Sequence, residues 1–205
     1  MIDSRQRLFL GSAGLGALPG WMSALPDVPR RAVLVPTAAN PLADAPFVLR
    51  AVEVLESAGS RVGVLDLECA RATQVERALR EAELVFVTGG YAMFLLEHVR
   101  RTGFDQIVSD AVRGGSLSYA GISAGAALAG PDLEHLRDAD DPGTVASSRG
   151  LGLVPFVVLA HRDRGRAARH DRLAAEHGDP SRFVSLSDDQ AVAVTGTAWE
   201  LLSSP

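Results

Sequence analysis

The residues of this chain best suited to covalent chemistry lie in Gly121-Ile122-Ser123-Ala124-Gly125, a G-x-S-x-G pattern. The stretch before it, "SLSYA", reads as a strand, and the small-residue run after it, "AGAALAG", reads as a helix. That is the strand–turn–helix setting of a nucleophile elbow, where a tight turn holds a serine at its apex in a strained conformation. The flanking glycines let strand and helix approach without Cβ clashes. The plain alternative is that Ser123 caps the helix, a common duty of serine. A cap does not need glycine at both flanking positions, so the pattern favours a nucleophile.

A serine hydroxyl needs a base to attack a carbonyl. His98 falls within a helical stretch, His170 and His177 fall on or at the end of a polar one, and all three read as solvated. His135 sits in a polar loop with nothing to fix it. His161 ends the apolar run "LVPFVVLA", and catalytic groups of open parallel sheets gather at carboxyl ends of strands. His161 is therefore the expected general base. The oxyanion formed on attack requires two donors. The Ala124 amide is one by the elbow rule, and "VTGG" at another strand end offers Gly90 as the second. The bland reading of that glycine pair is a turn from strand to helix.

These groups are positioned by an alternation of elements. Strands are expected at 7–11, 31–37, 61–67 and 83–90, with helices at 43–58, 72–82, 91–101 and over "FDQIVSDAVRGG". Apolar β runs spaced by amphipathic helices indicate a parallel sheet covered on both faces. Past residue 150, "GLGLVPFVVLA" reads as a strand and 165–178 as a helix. "RFVSLSD", "QAVAVTG" and "AWELLS" are expected to form antiparallel pairs at one end of the sheet. Residues 131–150 are polar and aperiodic, a long loop of the kind that more often serves function. One α/β domain spanning 1–205 accounts for the length.

Composition narrows the chemistry. The net charge of −5 argues against nucleic acid or anionic membrane as partner. All basic residues are arginine, which excludes a lysine Schiff base or a serine–lysine pair. The single cysteine, Cys69, makes no internal disulfide, and no metal-type Cys/His spacing occurs. A cytoplasmic location is expected. The run "LFLGSAGLGALPGWMSALP" has some features of a secretory signal, but glycines and a proline interrupt it, and no run is long enough for a membrane span.

The stretches "VFVTGGYAMFLLE", "GISAGAALAGP", "GLGLVPFVVLAH" and "LSDDQAVAV" together resemble the peptidase E (aspartyl dipeptidase) and cyanophycinase family of serine peptidases. The resemblance implies a three-layer flavodoxin-like sheet akin to class I glutamine amidotransferases, no metal or organic cofactor, and a possible homodimer. It implies hydrolysis of short peptides with an N-terminal aspartate. Carried over by position, Ser123 is the nucleophile, His161 the base and Asp188 the orienting acid. Asp138, Asp140, Asp141 and Asp189 stand as alternatives for that acid. Arg169 matches the family's arginine for an acidic side chain, against the plain reading of Arg162, Arg164, Arg166, Arg169 and Arg172 as a solvated face. Where the family usually has Asn-Thr after its glycines, this chain has Tyr91-Ala92, which puts aspartyl specificity in question. Two other functions compete with the peptidase. One is an α/β-hydrolase esterase ordered Ser123, Asp138, His161, though little chain follows the serine. The other is a non-catalytic binding module of the same fold, suggested by Tyr91.

Overall fold

The computed structural model describes residues 5–204. Seven strands form one sheet in the order β3-β2-β4-β5-β1-β8-β9. These are β1 (Arg7–Gly11), β2 (Arg31–Val35), β3 (Arg61–Val64), β4 (Leu84–Val87), β5 (Ser118–Ile122), β8 (Gln190–Thr195) and β9 (Ala198–Ser203). The first five run parallel, while β8 pairs antiparallel with β1 and with β9. The helices are α1 (Leu18–Ser23), α2 (Pro46–Ser57), α3 (Ala72–Glu81), α4 (Ala92–Thr102), α5 (Phe104–Arg113), α6 (Ala124–Leu128) and α7 (Ala167–Glu176). The mostly parallel α/β architecture is the expected one.

The two faces of the sheet are sorted by the two-residue period of its strands. Leu8, Leu10, Val33, Val35, Val85 and Val87 point into a core shared with α3, α4 and α5. Their neighbours Phe9, Ala32, Leu34, Leu84 and Phe86 point into a second core beneath α1 and α2. A strand buried on both sides must be apolar at every position, which is why β4 reads LVFV without alternation. The "LFLG" run is part of this construction, since β1 lies between β5 and β8 with Leu8, Phe9 and Leu10 fully buried.

The C-terminal region departs from expectation. The strand expected across 150–160 is confined to β6 (Val157–Leu159), and "RFVSLSD" contributes only β7 (Phe183–Ser185). These two pair in parallel with each other in a separate two-stranded sheet, not antiparallel at the end of the main one. The cause is the helix between them: α7 is a crossover connection, and strands joined through a crossover run parallel. Only β8 and β9, joined by a tight turn, form the expected antiparallel pair. The 131–150 segment contains a single helical turn at Glu134–Leu136 and a bridge between Asp132 and Arg149. No helix among the described residues is long and apolar enough to cross a membrane.

Candidate active site

Four strand ends of the main sheet and one of the small sheet converge on Ser123. The serine follows β5 at φ 50°, ψ −112°, a conformation that a side chain rarely adopts. Tight packing imposes it. A Cβ on Gly121 would stand 2.5 Å from the Gly125 carbonyl carbon, and one on Gly125 would stand 2.2 Å from the Val87 oxygen. Both glycines are thus required by close approach of β5, α6 and β4. Ser123 occupies the position before α6, yet its side chain caps nothing there. Its hydroxyl instead faces His161, with Oγ 2.9 Å from Nε2.

His161 follows β6 and also has positive φ, 66°. Its Nδ1 lies 2.6 Å from Asp188 Oδ1, the contact that fixes the tautomer: Nδ1–H donates to the carboxylate, leaving Nε2 to accept from Ser123. The His161 side chain is nearly buried, 11% exposed, so its orientation is set by these partners. Asp188 sits in the turn before β8. Burial alone would raise its pKa, but hydrogen bonds from His161 and the Arg164 guanidinium outweigh it and hold the carboxyl below its ordinary value. None of Asp138, Asp140, Asp141 and Asp189 hydrogen-bonds to His161 among the described residues. Asp138 accepts from the Asp140 amide, and Asp141 accepts from Met93 N at 2.7 Å and Phe94 N at 2.9 Å, satisfying two open amides of α4.

Five residues contribute to the site that were not foreseen in this role from the sequence. Ser12, fully buried just after β1, accepts the His161 backbone N–H at 2.7 Å and directs its own hydroxyl to Asp188 Oδ1 at 3.3 Å. The next two amides of that loop, Ala13 and Gly14, donate to the Asp188 carbonyl at 3.3 and 2.6 Å. Arg164 holds the other carboxylate oxygen through Nε, and Asp163 accepts the Asp188 amide at 3.1 Å. The one signal for Ser12 in the sequence was the small-residue run "GSAG" directly after a strand.

Gly90 follows β4 with φ +134°, and a Cβ there would fall 2.0 Å from the Ala38 oxygen. Neither the Gly90 amide nor the Ala124 amide has an acceptor among the described residues. Both line a chamber of about 430 Å3 together with Tyr91, Ser123, His161 and Arg169. Arg137, Arg164 and Arg166 also line it, as do Asp138 and Asp141, the latter committed to the α4 amides. Arg169 donates only to the His135 backbone carbonyl, so its charge has no carboxylate partner among the described residues, and neither has that of Arg166. Arg162, by contrast, is committed to Asp171 at 2.8 Å. Of the other histidines, His98 and His177 are exposed or half-exposed. His170, expected at the surface, is buried, with Nδ1 2.7 Å from Ser185 Oγ. It packs α7 onto β7, a duty invisible until β7 is placed.

A strained serine at the carboxyl edge of a parallel sheet, facing an imidazole, defines the class as a serine-type hydrolase. The comparisons make this specific. The chain belongs to peptidase family S51, whose sequence pattern matches residues 21–202, and it is a serine-type peptidase. An uncharacterized peptidase of Listeria monocytogenes is 26% identical over 196 residues, covering 93% of this chain and 95% of that protein. Peptidase E of Streptomyces coelicolor is 43% identical over 86 residues, 40% of this chain and 33% of that one. A solved structure of a Listeria monocytogenes protein provisionally assigned as peptidase E superposes with a TM-score of 0.86. It covers 97% of this chain and 98% of its own at 23% identity, a likeness of fold.

Proposed function

We propose that this peptidase cleaves dipeptides or short peptides bearing an acidic N-terminal residue, with Ser123, His161 and Asp188 as its triad. In this reading Ser123 Oγ attacks the scissile carbonyl while His161 Nε2 takes its proton. The imidazolium then returns the proton to the leaving amine, and water repeats the cycle on the acyl-enzyme. Asp188 stays ionised throughout and stabilises the charged imidazole. The Gly90 and Ala124 amides receive the oxyanion, where fixed dipoles need no reorganisation as charge develops. Arg169 receives the substrate's carboxylate, with Tyr91 lining the same chamber. The observation that carries the proposal is the unbroken chain from Ser123 through His161 to Asp188, at 2.9 and 2.6 Å.

The substrate assignment draws support from two arginines without carboxylate partners in a chamber that opens on the serine. It also draws support from the relative named peptidase E. A panel of Asp-Xaa, Glu-Xaa and neutral dipeptides tests it. Turnover of Asp-Xaa at least about tenfold above neutral dipeptides is expected, as a site with a cation placed for the substrate's carboxylate provides. Arg169→Gln should remove that preference mainly through KM. Equal turnover of neutral and acidic peptides refutes the acidic assignment, and undiminished turnover in Ser123→Ala refutes the nucleophile.

A further inference from the structure

The chamber with Arg169 is one of two compartments that meet at Ser123. The second, about 190 Å3, lies against the same serine and histidine and shares Leu42, Gly90 and Arg164 with the first. Its remaining walls are of opposite character. Ala13 comes from the loop after β1, Phe47 from the first turn of α2, and Ile122 from the end of β5, with Leu42 from the loop ahead of α2. No carboxylate lines it, and Arg164, the one permanent cation among its described residues, has its Nε engaged on Asp188.

A peptide carbonyl held on Ser123 has its acyl residue on one side and its leaving amine on the other. The unpartnered arginines lie in the larger compartment, which therefore takes the acyl residue. The leaving residue has to project into the smaller one. We propose that this compartment is the subsite for the leaving residue and that it selects an apolar, aliphatic side chain. The inference rests on the peptidase reading above and adds the identity of the second residue. The physical ground is that Leu42, Phe47, Ile122 and Ala13 offer contact area and no hydrogen-bond partner. An amide side chain there is desolvated without compensation, a basic one also meets Arg164, and an acidic one finds only an Arg164 whose charge is already paired with Asp188. Glycine forfeits the buried apolar area.

The experiment is a dipeptide series in which the N-terminal residue is kept at the one cleaved fastest. The second residue is varied through Leu, Met, Gly, Glu and Lys, and kcat/KM is read for each. Leu and Met are expected to exceed Gly by about tenfold, and Glu and Lys by more. Two variants at a residue outside the catalytic groups then locate the preference. Phe47→Ala should bring the Leu-to-Gly ratio down severalfold, and Phe47→Glu should lower the Leu-to-Lys ratio at least about tenfold. Fluorophosphonate labelling of Ser123 in each variant reports that the fold and nucleophile are intact. A flat wild-type profile, or a profile moved by neither substitution, overturns the subsite while leaving the peptidase reading in place. Absence of turnover of every peptide, in the wild type as in Ser123→Ala, overturns both.

Discussion

At 2.6 Å, the contact between His161 Nδ1 and Asp188 Oδ1 is a charge-assisted hydrogen bond once the imidazole is protonated. Asp188→Asn keeps the shape and offers the ring a donor or acceptor of the wrong kind. We expect kcat to fall by about 10³–10⁴ with KM little changed, by analogy with loss of the orienting acid in serine proteases. Ser12 acts one step back, on both partners at once. Ser12→Ala should reduce kcat by roughly tenfold, one lost buried hydrogen bond's worth of alignment, and Ser12→Thr should restore part of it; steady-state kinetics decide. Asp188 also carries a pH signature. Its folded pKa lies below the unfolded value, so its stabilisation is present above the usual carboxylate range and is lost as pH falls through the folded value. Denaturant midpoints of wild type and Asp188→Asn should therefore converge on acidification toward pH 3. These residues differ in how openly the sequence announced them. Ser123 was legible because an elbow needs its glycines within five positions, so cause and signal share one short window. Asp188 came only through family resemblance, and Ser12 not at all. Its partners are 149 and 176 residues distant, and nothing local distinguishes a serine that accepts an amide across that span.

The element most unlike its expectation is the β6–α7–β7 unit, because short apolar runs do not reveal which partner they will pair with. The loop at 131–150, by contrast, was legible as irregular but not as anchored. Its Asp141 serves α4 as a cap that Tyr91 cannot provide. Asp141→Ala is expected to cost about 1 kcal/mol and to speed proteolysis within 131–150, measurable by limited digestion. The turn at Glu134–Leu136 carries a second titration. Burial first of all, with Arg169 and His170 adding, pushes His135 from 6.5 down to about 4. Between those values the unfolded chain binds the proton and the folded one does not, so stability declines as pH drops from 6.5 toward 4. His135→Phe should flatten that part of the urea midpoint profile. The elbow makes a harsher prediction: Gly125→Ala places a methyl 2.2 Å from the Val87 oxygen, and expression should yield little folded protein.

Across the whole molecule, burial falls from the central strands of the sheet to its edge strands β3 and β9, and the cost of truncation should follow it. Phe86, in β4 and fully buried, is expected to cost about 3–5 kcal/mol as Phe86→Ala. Trp199, on edge strand β9 and 50% exposed, should cost far less as Trp199→Ala. Urea denaturation of the two variants separates these outcomes. The sheet's existence was readable from continuous apolar runs, which parallel strands buried on both faces must carry. Its strand order was not, since pairing is a long-range choice.

Ser123 is bolted to the seven-stranded sheet, whereas His161 rides on the two-stranded one. Gentle heating that lets one slab slide against the other by a fraction of an ångström would misalign proton transfer while every strand stayed paired. Enzymatic inactivation should then precede calorimetric melting by several degrees, and cooling should restore turnover without any refolding lag.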